Sequence, residues 1–260
     1  MKIRSLTLFT GDGIFPAYLK SNQKGKFSEY TRALLEESGY LVQTLRIATP
    51  PFPVWQKKIG MDNFIQHVRG FEQQAVDNGI NYVSLGPALP HDIAGYNLIP
   101  ECLAHTTNTF FSGVIATMDG TISLTAVRAC AKIIIELSGL QPNGFGNLYF
   151  AALANVKPGA PFFPAAYSKR GKHGFAIAME AADLVVKSFS VANSLDEARA
   201  NLIRLIEQYA HNLTQLAEEI VSKYHIPFWG IDFTPAPYVV QEASIGEAME
   251  RLGVPAVGYH

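Results

Sequence analysis

Charge, cysteine and long apolar runs are all scarce in this chain of 260 residues. Only 17% of the positions are charged, below the usual quarter, and 21 basic residues nearly balance 22 acidic ones for a net charge of −1. That balance argues against nucleic acid or an anionic membrane as a partner. Two cysteines exclude a disulfide scaffold. Cys102 and Cys130 sit at no motif spacing, which suits a reducing compartment, so a cytoplasmic location is expected. No run approaches the roughly 18 apolar residues of a membrane span, and the most apolar helical stretch carries Arg128, Lys132 and Glu136. The start, Met1 to Thr10, passes at once into Gly11-Asp12-Gly13 and lacks the long apolar core of a secretory signal.

Familiar site motifs are missing as well. No Gly-Lys-Ser/Thr occurs, so there is no P-loop. Gly144-Phe145-Gly146 lacks the third glycine of a dinucleotide fingerprint. Gly-x-Ser-x-Gly, His-Glu-x-x-His and Cys-x-x-Cys are absent, and no two of the seven histidines stand at i, i+4. A zinc hydrolase is disfavoured, and the sequence names neither a cofactor nor a metal.

Apolar content of 48% is enough to bury a large core and excludes disorder. Short β-rich runs at Lys2–Phe9, Leu41–Ile47, Tyr82–Leu85, Phe110–Ala116, Asn147–Ala154 and Phe228–Phe233 alternate with helical patterns. The helices are expected at Ser28–Ser38, Asn63–Asn78, Leu98–Thr107, Ser123–Leu137, Phe175–Phe189 and Leu195–Tyr224. Such alternation implies an α/β fold, a mostly parallel sheet with crossover helices, over 1–260 as one domain. Ser194 and Glu197 form a capping box, after which Ala198, Leu202, Leu205, Tyr209, Leu213, Leu216 and Ile220 recur at helical spacing. A helix of that length packs along a whole sheet or reaches a second copy, so a homo-oligomer is expected. The run Thr49 to Trp55 reads as a packed proline-rich loop.

In parallel α/β folds ligands gather where strands run into loops, and that rule selects the candidate residues. Asp12, between two glycines after the first strand, offers either a substrate-binding carboxylate or a plain turn. The segment from Asn155 to Gly174 is stiffened by three prolines and carries Asn155, Tyr167, Lys169, Arg170, Lys172 and His173. With a helix expected from Phe175, these cations and the helix N–H groups would bind a carboxylate or phosphate. His173 is a candidate general acid or base, and Tyr167 and Asn155 are candidate positioning donors. Glu180 and Asp183 interrupt an apolar stretch and would share a helix face, toward either a cleft or solvent. Asp232, among Phe228, Trp229 and Phe233, is expected to be desolvated, as a general base or metal ligand requires; the alternative is a turn cap. Cys102 and His105 offer a weaker thiolate candidate.

From Asn147 to Tyr167 the chain resembles the bacterial and archaeal family known as domain of unknown function 711, and Glu180-Ala181-Ala182-Asp183-Leu184 and Gly230-Ile231-Asp232-Phe233 are similar to the same family. The resemblance spans roughly residues 80–260. It implies the ten-stranded α/β barrel of pyruvate formate-lyase-like glycyl radical enzymes, but no activity. Family members continue beyond the point matching Gly258-Tyr259-His260, so a short member or a fragment is expected. Glycyl radical enzymes carry an arginine before their Gly-Tyr loop and a cysteine at a barrel loop tip. Here Pro255-Ala256-Val257 precedes Gly258-Tyr259, and neither cysteine falls on an expected loop tip, so radical chemistry is disfavoured.

The combined expectation is an enzyme acting on a small polar or anionic metabolite. Asp232, His173 and Tyr167 would be catalytic, and Asn155, Arg170, Asp12, Glu180 and Asp183 substrate-binding. The alternatives are a non-catalytic binding or sensor protein and an oligomeric assembly component.

Overall fold

The computed structural model describes residues 1–12, 16, 19, 27–235 and 243–254, with backbone only at Met61 and Asp62. Strand β1, Lys2–Phe9, is followed by helix α1, Phe27–Glu37, and strands β2, Leu41–Val42, and β3, Leu45–Pro51. Helices α2, Pro53–Ile59, and α3, Met61–Asp77, lead to β4, Tyr82–Gly86. Helix α4, Ile93–Ala104, precedes β5, Thr109–Ala116, and α5, Leu124–Ser138, precedes a 3-10 helix, Pro142–Tyr149, and β6, Phe150–Ala154. Strand β7, Gly174–Glu180, then α6, Ala182–Ser190, α7, Leu195–Tyr224, β8, Phe228–Asp232, and α8, Ile245–Arg251, complete the described elements.

The strands form one mostly parallel sheet in the order β6-β5-β4-β3-β1-β7-β8, with β2 pairing β1 beside β3. Among the described strand pairs only β1–β7 is antiparallel. Period-two alternation sorts the two faces. Leu6 and Leu8 of β1, Ile47 of β3, Val83 and Leu85 of β4, Phe111 of β5 and Phe175, Ile177 and Met179 of β7 join the main core. Helical residues such as Phe64, Val68 and Phe71 of α3 and Leu213, Ala217 and Ile220 of α7 belong to that same cluster. The opposite face packs against a loop instead, with Phe9, Ala48 and Ala176 meeting Ala166 and Phe163. Among the described residues the main core is filled by helical side chains, and this second cluster by the loop alone.

Several expected elements shift. The helix expected at Phe175–Phe189 is a strand to Glu180 and a helix only from Ala182. The cause is a strand buried on both faces: Gly174 to Met179 are all buried, so no alternation marks them as strand. The proline-rich run is the end of β3 and the start of α2, with Pro53 at the first helical position, where a missing N–H costs nothing. Asn147 to Tyr149 belong to the 3-10 helix rather than to β6. Helix α7 spans Leu195–Tyr224 as read, with the Ser194 hydroxyl accepting from Glu197 N at 3.2 Å. The Glu197 carboxylate accepts one residue earlier than a capping box has it, from Asn193 N at 2.8 Å. Its apolar stripe is spent on the molecule's own core: Leu213, Ala217 and Ile220 are fully buried, and Leu202, Ile206, Tyr209 and Leu216 pack against them.

Candidate functional site

Because β7 runs antiparallel to β1, the C-terminal ends of the strands fall at two opposite ends of the sheet. One end gathers the loops after β1, β3, β4, β5 and β6. The other gathers those after β7 and β8.

At the first end the loop after β6 folds back across the sheet. It begins at Asn155, an exposed residue in the left-handed region with φ of 56°. Its middle is fastened to three strands. The Ser84 hydroxyl of β4 donates to Ala166 O at 2.7 Å, and Ser168 N donates to Thr49 O at 3.0 Å. The fully buried Ser168 hydroxyl donates to Thr10 O at 2.5 Å, and Gly171 N to Gly11 O at 2.8 Å. The loop also closes on itself, with Tyr167 OH donating to Val156 O at 2.7 Å and Gly159 N to Tyr167 O at 2.8 Å. Burial raises the Tyr167 phenol, which keeps it a neutral donor. Trp229 of β8 adds a second clasp, stacking on Phe9 with ring centroids 4.8 Å apart and lying against Gly174 and Gly159. Arg46 sits over the Phe163 ring at 5.1 Å.

This bracing carries Arg170 to Asp12. The two line a cavity of about 70 Å³ together with Pro50, Val54, Trp55 and Lys58. All three charged side chains are exposed at its mouth. Neighbouring Lys57 is engaged with Asp92 at 2.9 Å, whereas Lys58 and Arg170 have no ion-pair partner among the described residues. The Trp55 indole N–H is buried without a hydrogen-bond partner among the described residues. Two unpaired cations beside apolar walls favour an anion, and the Asp12 carboxylate supplies a proton acceptor. His173 is exposed, three residues after Arg170, and leads into β7 rather than into a helix, so the expected helix N–H groups are not there. Gly13, which flanks Asp12, lies outside the described residues.

At the second end, Glu180, Asp183, Lys2 and Gln43 line a larger cavity of about 340 Å³. Glu180 accepts from Gln43 Nε2 at 2.5 Å and lies 4.0 Å from Lys2 Nζ. Asp183 lies in the first turn of α6, 3.8 Å from Lys187, with its Oδ1 buried and without a hydrogen-bond partner among the described residues. Asp232 is also at this end, paired in register with Ala178, and its Oδ1 accepts from Thr234 N at 2.8 Å in a turn-capping arrangement. Five residues of β7 separate the levels of His173 and Asp232, roughly 17 Å. The eight candidate residues therefore divide: Asp12, Asn155, Tyr167, Arg170 and His173 at one end, Glu180, Asp183 and Asp232 at the other. Ala236 and Pro237, beyond Asp232, lie outside the described residues.

Cys102 and His105 do not form an activated pair. Cys102 is fully buried with its thiol pushed up to about 12 by desolvation, and the His105 ring bonds Glu101 O at 2.8 Å. Sequence reasoning missed Lys58 and the Trp55 indole N–H as partners of Arg170, because only the return of the loop brings them together. It also missed that Ser5 and Thr7 of β1 and Ser112 of β5 bury hydroxyls without partners among the described residues. Hydroxyls alternating with Leu6 and Leu8 were the available signal. Among the described residues no group of three or more His, Cys, Asp or Glu could hold a metal, and no helix is long and apolar enough to cross a membrane.

Fold and site together define an α/β protein with a mostly parallel sheet and a braced loop that sets charged side chains over the strand ends. The chain belongs to the family described as Uncharacterised ACR (DUF711), whose model matches residues 16–260. It is similar to the UPF0210 protein of Pyrobaculum islandicum, 26% identical over 237 residues, covering 85% of this chain and 50% of that protein. A UPF0210 protein of Desulforudis audaxviator is 25% identical over 90% of this chain and 54% of its own length. The corresponding figures for one from Oenococcus oeni are 24%, 92% and 55%. The chain thus spans about half the length of the relatives it matches.

Proposed function

We propose that the protein is an enzyme acting on a small anionic metabolite held at the C-terminal ends of β1 and β3. The observation that carries this is the cavity where Asp12, Lys58 and Arg170 converge against Trp55, the two cations lacking partners among the described residues. The ligand's anionic group lies between the Lys58 ammonium and the Arg170 guanidinium. Its apolar body rests on Pro50, Val54 and Trp55. Asp12 acts as the base, taking a proton from the bound molecule, and His173, exposed on the same loop, exchanges it with water. Tyr167 and Asn155 are positioning residues: they shape the loop and do not touch the ligand. Asp232, Glu180 and Asp183 stand outside this site.

A thermal-shift panel of inorganic phosphate and small alkyl and aryl carboxylates tests the reading. At least one anion is expected to raise Tm in the wild type, and Arg170→Ala with Lys58→Ala is expected to abolish the shift. Asp12→Asn should keep binding and lose turnover. A shift that survives loss of both cations overturns the site. Binding without turnover of any anion in the panel favours a sensor.

A further inference from the structure

The net charge of −1 hides a division along the sheet. No acidic residue occurs between Glu136 and Glu180, a stretch that holds Lys157, Lys169, Arg170, Lys172 and His173. All five are exposed on the loop after β6, and none has an ion-pair partner among the described residues. Helix α2 adds Lys57 and Lys58 at the same end. Against them the loops of that end set Asp12, Asp92 and Asp119. Asp92 is engaged by Lys57, and Asp119 by the Thr117 hydroxyl and Thr121 N. Asp62, at the start of α3, is described by its backbone alone. The connection from Asp12 to Phe27 holds Lys20, Lys24 and Lys26 and no acid. The end that carries the Arg170 cavity is therefore basic, while Glu180, Asp183 and Asp232 lie at the other.

Three of these cations are gathered by the backbone. Lys172 N donates to Lys169 O at 3.0 Å, closing a four-residue turn in which Gly171 takes a left-handed φ of 73°. Such a turn keeps the backbones of Lys169 and Lys172 within about 7 Å of each other, with Arg170 between them. It is fastened to the end of β1. Gly171 N donates to Gly11 O at 2.8 Å, and a Cβ on Gly11 would stand 3.5 Å from Lys172 N. Like charges fixed this close repel one another, and a bound anion relieves that repulsion. The cavity beside Arg170, at about 70 Å³, is small against the roughly 300 Å³ or more of a pocket that encloses a whole ligand. It takes one end of a molecule and leaves the other outside, where the turn stands.

We propose that the ligand carries two anionic groups, the first between Lys58 and Arg170 at the cavity mouth and the second on the turn, between Lys169 and Lys172. Its class is a small dianionic acid whose second group is a carboxylate or a phosphoryl group. This deepens the anion-site reading above and rests on it. Lys169 and Lys172 are specificity-determining residues: a monoanion leaves both in water, and only a dianion engages them.

Thermal-shift titration of the whole chain tests this with succinate, monomethyl succinate and 3-phosphonopropionate, which share a two-carbon spacer. At low ionic strength at least one dianion should bind about tenfold tighter than the monoester, the yield of two exposed charge pairs. Sodium chloride at about 0.5 M should erase most of that margin. A lead for succinate assigns a carboxylate to the turn, and a lead for 3-phosphonopropionate a phosphoryl group. Lys169→Gln with Lys172→Gln should bring the dianion down to the affinity of the monoester and leave the monoester unchanged. A monoester that binds as tightly as both dianions overturns the second subsite and leaves the first standing. A margin that survives both substitutions, or that does not respond to salt, overturns it too. Loss of monoester binding in Arg170→Ala with Lys58→Ala reads the first subsite alone, so the two readings fail separately. No shift with any of the three ligands overturns both.

Discussion

Replacing Gly174 with alanine probes the clasp that holds the candidate site together. A Cβ built on Gly174 would stand 2.2 Å from Trp229 Nε1 and 2.3 Å from Cε2, where ordinary contact begins at 3.4 Å. The indole must therefore retreat by about 1.2 Å, the shortfall between those distances, and leave its stack on Phe9. Losing the aromatic pair costs roughly 0.5–1.5 kcal/mol and crowding roughly 1–3 kcal/mol. Gly174 is not in the left-handed region, so alanine also gains about 0.4–1 kcal/mol by restricting the unfolded chain. The net expectation is a destabilisation of about 1–3 kcal/mol, a fall in Tm of roughly 2–6 °C for a chain of this size. The same substitution in a Trp229→Ala background meets no indole, and its sign should reverse to a gain of about 0.4–1 kcal/mol. Urea unfolding of the four proteins measures the cycle. Equal losses in both backgrounds would refute the steric argument and, with it, the clasp.

Three further outcomes follow from particular contacts. Glu72 Oε1 accepts from Thr107 N at 3.0 Å, Asn108 N at 2.5 Å and Thr109 Oγ1 at 3.0 Å, fixing the entry to β5. Glu72→Ala should cost about 2 kcal/mol and Glu72→Gln about half that by urea denaturation. Desolvation pushes Cys102 up to about 12 and Cys130 to about 11, so neither thiol should react with a disulfide reagent at pH 8 until the protein unfolds. Hydrogen bonds from the Thr117 hydroxyl and Thr121 N hold the Asp119 carboxyl below its usual range. A depressed carboxyl adds stability above its unfolded pKa of about 3.9 and loses it as pH falls through the folded value. The Tm difference between wild type and Asp119→Asn should therefore shrink on acidification below pH 4.

How much the sequence shows depends on which neighbours a segment has. Ser194 and the spacing from Ala198 to Ile220 predict α7 to the residue, because capping and a single buried stripe are local. β7 resembles a helix because the sheet is covered on both faces there, by α-helical side chains beneath Phe175 and Ile177 and by the loop above Ala176. Asp12 and Arg170 both stand out in the sequence as polar groups at strand ends, yet nothing local says that they meet. Their meeting depends on Ser168 and Gly171 bonding to Thr10 and Gly11 across some 160 positions.

The sequence alone settles the class of the fold, its family, the buried share of the chain and the scarcity of charge that leaves few residues for chemistry. The family follows from the resemblance carried by Asn147–Tyr167, and the other properties from composition and short-range periodicity, which are written along the chain. The tertiary structure decides which of the few charges act together. A single antiparallel pairing, β1 with β7, reverses the last two strands and sends Asp232, Glu180 and Asp183 to the far end of the sheet from Arg170. Strand direction is set by long-range pairing and by the loop that returns before β7, so no local pattern records it.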